Sequence, residues 1–262
     1  MPKLARTIIP RIKKSFAERG IVRSLLRSVV LPIHLFREHR DAKAASRAPE
    51  KSKFDALYGV ETDGDVGLRT YLSDLKIPNP NWVYGNDYMG IEPERFFALF
   101  ADLEIRCEDF VFVDLGSGKG RALLLASERP FKRIVGIEFS PELNEIAKMN
   151  IQRYKNPKQR CTTIESVCAD CSFYQIPEEP CVLFLFDPCR GGVLAKTMEN
   201  IRRSLAEHPR EMYLLYAAPP PEGERLASEF LSLSRRDPIR NLSVYANVPR
   251  RVASASNRAN SS

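Results

Sequence analysis

The sequence contains no run of 18 uncharged apolar residues, so no membrane-spanning helix is expected. Its first residues lack the small-residue cleavage pattern of a secretory signal. Histidine is scarce, with three in 262 residues, and His34, His39 and His208 all stand far from the cysteine-rich stretch. Cys168-x-x-Cys171 therefore lacks the two further ligands of a closed zinc site, unless Cys161 or Cys181 approaches, and no metal is expected. The six cysteines, five of them between 161 and 189, show no regular disulfide framework. They read as reduced, mostly buried thiols of a cytoplasmic protein. There is no internal repeat.

A basic main domain is missing as well. The chain carries +7, yet residues 1–47 hold 12 Lys/Arg against 3 Asp/Glu, which leaves the remaining 215 residues at −2. The basic character belongs to an N-terminal arm and gives no ground for reading the domain itself as nucleic-acid-binding. Residues 1–40 carry Val22, Leu25, Leu26, Val29, Ile33 and Phe36 at helical spacing, interrupted at Pro32. This predicts a helical extension able to contact an anionic membrane surface or RNA. Residues 41–53 suit a linker, so 1–53 is read as arm plus linker, 54–250 as the folded domain, and 251–262 as a polar, disordered tail.

Within the domain, strand-like runs alternate with helical patterns. Strands are expected at 110–115, 133–138, 162–167, 181–186, 211–217 and 243–248, and helices at 93–103, 119–128, 141–153, 192–206 and 222–231. Strands separated by 10–15-residue helices imply right-handed βαβ crossovers and a mainly parallel sheet covered on both faces. Continuous apolar runs such as CVLFLF and MYLLYA are what doubly buried strands need.

The first strand runs into VFVDLGSGKGR, residues 111–121. A P-loop would need Gly at 113 and Ser or Thr at 120, where Val113 and Gly120 stand. A dinucleotide turn would need its third glycine at 121, which is Arg. Asp114 further disfavours a diphosphate, because a like charge in a partly desolvated site costs energy. A ligand presenting an ammonium or hydroxyl groups suits that carboxylate.

The spacing Asp114–Gly116–Gly118–Gly120, with Ser117 inside it, resembles that of class I S-adenosylmethionine-dependent methyltransferases. Further motifs follow in the order that family implies. Glu138 ends RIVGIE, where the resemblance implies a ribose-binding acidic residue. Asp170 and Cys171, with Phe173 as a stacking candidate, fall where the adenine is held. Asp187–Pro188 ends the fourth strand, where the family's methyl-facing motif lies. Tyr84, Asn86 and Tyr88, in the aromatic segment 81–93, are placed as residues that could close over the cofactor, or simply as a packed turn. The resemblance thus implies an α/β, three-layer Rossmann-like methyltransferase fold of about seven strands. It also implies S-adenosyl-L-methionine as cofactor, with Tyr88 among the cofactor contacts and Asp187 and Pro188 as the catalytic pair.

The acceptor stays open among protein, small molecule and RNA. The motif D-P-C-R matches the D-P-P-Y form of amino-methylating enzymes only in its first two positions, and Arg190 stands where an aromatic would stack a flat base. DLGSGKG with VGIE also resembles non-SET lysine methyltransferases over residues 111–139, which makes an amine such as a protein lysine one reading. Others are a cofactor-binding protein of this fold without turnover, an aminopropyl transferase, and a nucleotide-dependent oxidoreductase. Lys119 and Arg121 are expected at the helix start, pointing partly to solvent.

Overall fold

In the computed structural model, residues 52–248 are described apart from 65–68, 71, 73–74, 76 and 78–82. The basic arm 1–47, most of the linker and the tail 251–262 lie outside the described residues.

The described chain begins with α1 (Lys53–Tyr58), whose N-cap is Ser52, with its hydroxyl accepting from Asp55 N. A small antiparallel pair follows, β1 (Arg69–Thr70) and β2 (Tyr88–Met89), then α2 (Pro93–Ala98), entered through proline at its first turn. The alternating body comprises β3 (Val111–Leu115), α3 (Arg121–Ala126), β4 (Arg133–Glu138), α4 (Pro141–Arg153) and β5 (Ile164–Cys168). It continues with β6 (Cys181–Phe186), α5 (Gly191–Glu207), β7 (Met212–Ala217), α6 (Pro221–Ser228), β8 (Ser232–Asp237) and β9 (Leu242–Ala246).

Seven strands form one sheet in the order β5-β4-β3-β6-β7-β9-β8, and only the pairings of β9 with β7 and with β8 are antiparallel. Successive side chains of a strand point to opposite faces, and β3 shows the result. Phe112 packs into one core with Phe96, Phe131 and Phe184, while Val111, Val113 and Leu115 enter the other with Leu194, Met198 and Ile201 of α5. The sheet is thus the middle of three layers, each face sealed by its own apolar cluster. β3 and β6 are central neighbours, so the loops after them meet at the carboxyl edge of the sheet, on the side where open α/β sheets bind ligands.

Two expectations need correction. The helix expected to 231 stops at Ser228, and SLSRRD, 232–237, forms the seventh strand. That hexapeptide lacks an apolar alternation because β8 is an edge strand, mostly half-buried or exposed, and backbone pairing with β9 specifies it. The helix expected over 93–103 likewise ends at Ala98 and gives way to turns.

Candidate active site

The loops after β3, β4, β5 and β6 surround a solvent-connected cavity of about 860 Å³, the solvent-open part included. Asp114, Gly116, Ser117 and Gly118 form its floor, Glu138 one wall, Asp170 and Cys171 another, and Asp187 and Pro188 a third, with Tyr88 over the glycine loop. Gly120 does not line it; it opens α3 in a left-handed conformation with its α-carbon facing Ala147. Phe173 is 73% exposed and lies outside the cavity lining, so the structure does not bring it to the site.

Glycine is required at 116 and 118 by the protein's own packing. A Cβ on Gly116 would stand 2.4 Å from Pro188 Cβ, and one on Gly118 would stand 2.0 Å from Tyr88 Cδ2. Both residues also have positive φ, 95° and 55°. The Asp187–Pro188 turn and the Tyr88 ring can therefore close directly onto the loop.

The electrostatics are unusual for a buried site. Glu138 accepts from Gly118 N and from Ser140 N, each at 2.8 Å. Burial nevertheless pushes its carboxyl up to about 7, with the amides of Ser140, Gly118 and Phe139 pulling the other way. Asp114 is raised well above the usual carboxylate range, by burial first and by the charge of Glu138 second. Ser117 Oγ is buried without a hydrogen-bond partner among the described residues. Two desolvated carboxylates and an orphaned hydroxyl suit a ligand that brings positive charge and hydroxyl groups. A phosphate finds no free cation in this lining. Arg121 is the one Lys or Arg among the described lining residues, and it is already engaged.

Arg121 and Lys119 correct the sequence-based expectation, since they are 1% and 2% exposed. The Arg121 guanidinium donates to Asp63 Oδ1 at 2.5 Å, Thr62 Oγ1 at 2.7 Å and Ser52 Oγ at 2.9 Å, and pairs with Asp55 at 3.3 Å. It also lies 5.2 Å over the Phe54 ring. Lys119 Nζ donates to Asp63 O at 2.9 Å. The Tyr88 hydroxyl donates to Thr62 O at 2.6 Å, so its ring, not its hydroxyl, faces the glycine loop. Residues 52–63 thus form a strap bolted across the start of α3. Sequence reading missed it because its partners lie up to 69 positions away, with no motif between them.

A second segment is stitched to the fourth motif. Gly85 bridges Cys189 in antiparallel fashion, and Arg190 N donates to Tyr84 O at 2.9 Å. Asn86 N donates to Pro188 O at 3.1 Å, and its side-chain amide donates to Asp187 O at 2.5 Å. Asp187 itself has φ 42°, a left-handed conformation rare outside glycine, with Arg190 at 3.2 Å from its carboxylate. Asn86, weighed from sequence only as part of a closing segment, fixes the backbone of the Asp187–Pro188 turn. Tyr84 beside it is 50% exposed and does not line the cavity.

Comparison with known proteins agrees with this geometry. Residues 113–185, from within β3 to within β6, match the family model described as "Methyltransferase domain". No curated protein matches the chain. Similar solved structures include an RNA methyltransferase from Salinibacter ruber in complex with S-adenosyl-L-homocysteine. It is 21% identical, with a TM-score of 0.42, covering 60% of this chain and 92% of that one. A predicted N6-adenine-specific DNA methylase from Listeria monocytogenes is 14% identical, with a TM-score of 0.45, covering 60% and 50%. A geranyl diphosphate methyltransferase in complex with GPP and sinefungin is 10% identical, with a TM-score of 0.46, covering 60% and 79%. None of these low identities speaks to the acceptor. The matched segment, which is similar to a methyltransferase domain, carries the glycine loop, Glu138, Asp170 and Cys171, and the fold brings them to one cavity at the carboxyl edge of the sheet.

Proposed function

We propose that Asp114 receives the amino-acid end of S-adenosyl-L-methionine, that Glu138 receives its ribose hydroxyls, and that Asp170 and Cys171 border its adenine. The cofactor supplies an activated methyl group when bound. The chain's own contribution is to position and to exclude water. The observation that carries this reading is the pair of buried carboxylates, Asp114 and Glu138, on one glycine-loop cavity without a free cation in its described lining.

For the acceptor, we propose an amine, a protein lysine side chain being one example. Both carbonyls of the Asp187–Pro188 turn accept hydrogen bonds from Asn86, and the Asp187 carboxylate, which accepts from Arg190 at 3.2 Å, lines the cavity where it can also orient an incoming N–H. A carboxylate there also stabilises the positive charge that develops on nitrogen. Arg190 and Tyr84, which flank the Asp187–Pro188 turn, are both exposed enough to meet a macromolecule. The free thiols fit a cytoplasmic setting, and among the described residues no helix is long and apolar enough to cross a membrane.

The test is thermal unfolding with S-adenosylhomocysteine, NAD and ATP in parallel, on wild type and on Glu138→Ala. At 100 times its dissociation constant a ligand stabilises by about 2.7 kcal/mol, a shift of about 5–11 °C for a domain near 200 residues. A shift with the homocysteine compound alone, lost in Glu138→Ala, is expected, and a shift with NAD instead sinks the reading. The acceptor is then sought with methyl-labelled cofactor on fractionated lysate. Label on amines that disappears in Asp187→Ala supports the amine, and label on carboxylates, thiols or nucleic acid rejects it.

A further inference from the structure

A second reactive pair lies in the wall of the cavity. Cys171 follows β5 and Cys189 follows β6, and both line the cavity. Cys171 Sγ stands 3.4 Å from Thr197 Oγ1 on α5, and the Cys189 thiol interacts with the Cys171 sulfur, with the same hydroxyl beside it. Thr197 is fixed in turn, its hydroxyl donating to Val193 O at 2.9 Å. The Cys189 backbone is held by its bridge to Gly85. Two thiols are thus converged on one immobilised hydroxyl, at the edge of a solvent-connected cavity. Methyl transfer uses neither sulfur.

We propose that Cys171 and Cys189 are a modification site, a dithiol that hydrogen peroxide or an alkyl hydroperoxide converts to a disulfide joining the loops after β5 and β6. The two sulfurs have different roles. The Cys189 S–H donates to the Cys171 sulfur, which holds Cys171 below its ordinary range, while that bond and burial hold Cys189 above its own. Cys171 is therefore the attacking thiolate. Its sulfur bonds to the terminal peroxide oxygen, the O–O bond breaks, and the departing hydroxide (or alkoxide) leaves as water (or alcohol) by taking up the one proton Cys171 gave up. The Cys189 sulfur then attacks the resulting sulfenic sulfur, the S–O bond breaks, and that oxygen leaves as a second water. Two thiols and one hydrogen peroxide yield one disulfide and two waters, the two electrons coming from the sulfurs.

Cys168 supplies the competing outcome. It is exposed, three residues before Cys171, and shares a C-x-x-C spacing with it. The structure favours Cys189 because its thiol already contacts Cys171. A disulfide closes the sulfurs from hydrogen-bond separation to about 2.05 Å, so the two loops are drawn together at the cavity wall.

The experiment treats the reduced full chain, without cofactor, with stoichiometric hydrogen peroxide and follows intact mass and non-reduced peptide maps. Expected is a loss of two hydrogens, reversed by dithiothreitol, mapping to Cys171–Cys189, retained in Cys168→Ser and absent in Cys171→Ser and Cys189→Ser. A disulfide mapping to Cys168–Cys171, or stable gain of oxygens without any loss of hydrogens, overturns the proposal. Both are read on wild type, so they do not depend on how the variants fold. Neither depends on cofactor, so failure of the methyltransferase reading leaves the result interpretable. A companion measurement compares stabilisation by S-adenosylhomocysteine in the two redox forms. It is expected to fall on oxidation and to return with dithiothreitol, and equal stabilisation of both forms overturns the coupling of the bond to the cavity.

Discussion

At the scale of single residues, the glycines of the loop are fixed by what touches them. A methyl group on Gly118 meets the Tyr88 ring at 2.0 Å and sits at φ 55°, so two penalties add. Left-handed backbone costs an ordinary residue about 1–2 kcal/mol, and overpacking a filled site costs about 1–3 kcal/mol. Gly118→Ala is therefore expected to destabilise by about 2–5 kcal/mol in urea titration. Adding Tyr88→Ala should return the overpacking part and leave the backbone part. If the two changes are simply additive, the ring is not what demands glycine there. Asn86 makes a different kind of prediction. Its side chain holds the Asp187 carbonyl but is not proposed to touch the cofactor's adenosyl group, so Asn86→Ala is expected to lower kcat about tenfold or more while cofactor KM stays within about twofold. A rise in cofactor KM with unchanged kcat would remove Asn86 from the positioning of the Asp187–Pro188 turn.

At the scale of elements, the strap formed by residues 52–63 is the least expected part of the molecule. Asp55 is buried and accepts from Thr62 N at 2.6 Å, Thr62 Oγ1 at 2.5 Å and Asp63 N at 2.8 Å while facing Arg121. Removing one partner of a buried pair leaves the other charge uncompensated, at a cost of about 3–5 kcal/mol. Asp55→Ala is expected to lose stability in that range, and Asp55→Leu combined with Arg121→Met should recover most of it. A single-variant cost below about 1 kcal/mol would mean that the pair behaves as an exposed one. The parallel strands β3, β4, β6 and β7, the helices between them and the glycine loop were all legible in the sequence. Apolar runs, Pro and Ser caps and glycine spacing are local signals, and in this body local preference and tertiary demand agree. β8 was not legible because an edge strand needs only backbone pairing. Nor was the strap, because Lys119 and Arg121 look like ordinary helix-start cations until Asp55 and Asp63 arrive from another part of the chain. Asp114, Glu138, Asp187 and Pro188 could be marked in the sequence through the family resemblance of their motifs, whereas the contact of Cys171 with Cys189 exists only once β5 and β6 lie on either side of β4 and β3.

At the scale of the whole molecule, the two buried carboxylates link ligand binding to pH. Glu138 has its folded-state pKa raised from 4.5 to about 7, so its contribution to stability is fully present below about 4.5 and is lost as pH rises through 7. Asp114 is raised in the same sense, which adds to the loss. The ligand-free protein is therefore expected to lose stability progressively from about pH 4.5 to about pH 7. A ligand bearing an ammonium, a charged sulfur or ribose hydroxyls binds the ionised carboxylates, so its apparent affinity is scaled by the fraction of protein in which they are ionised. For Glu138 alone that fraction falls about tenfold for each pH unit well below 7. Stabilisation by S-adenosylhomocysteine at fixed concentration should thus be small at pH 5.5 and grow through neutrality. The melting temperature of the complex should stay flatter with pH than that of the free protein. In Glu138→Gln, which keeps the shape and removes the charge, the growth with pH should shrink to whatever Asp114 supplies. A ligand-induced shift that is constant across this range in wild type, or that narrows as pH rises, would show that neither carboxylate titrates against the ligand. The positive end of the cofactor would then have to lie elsewhere than the floor of this cavity.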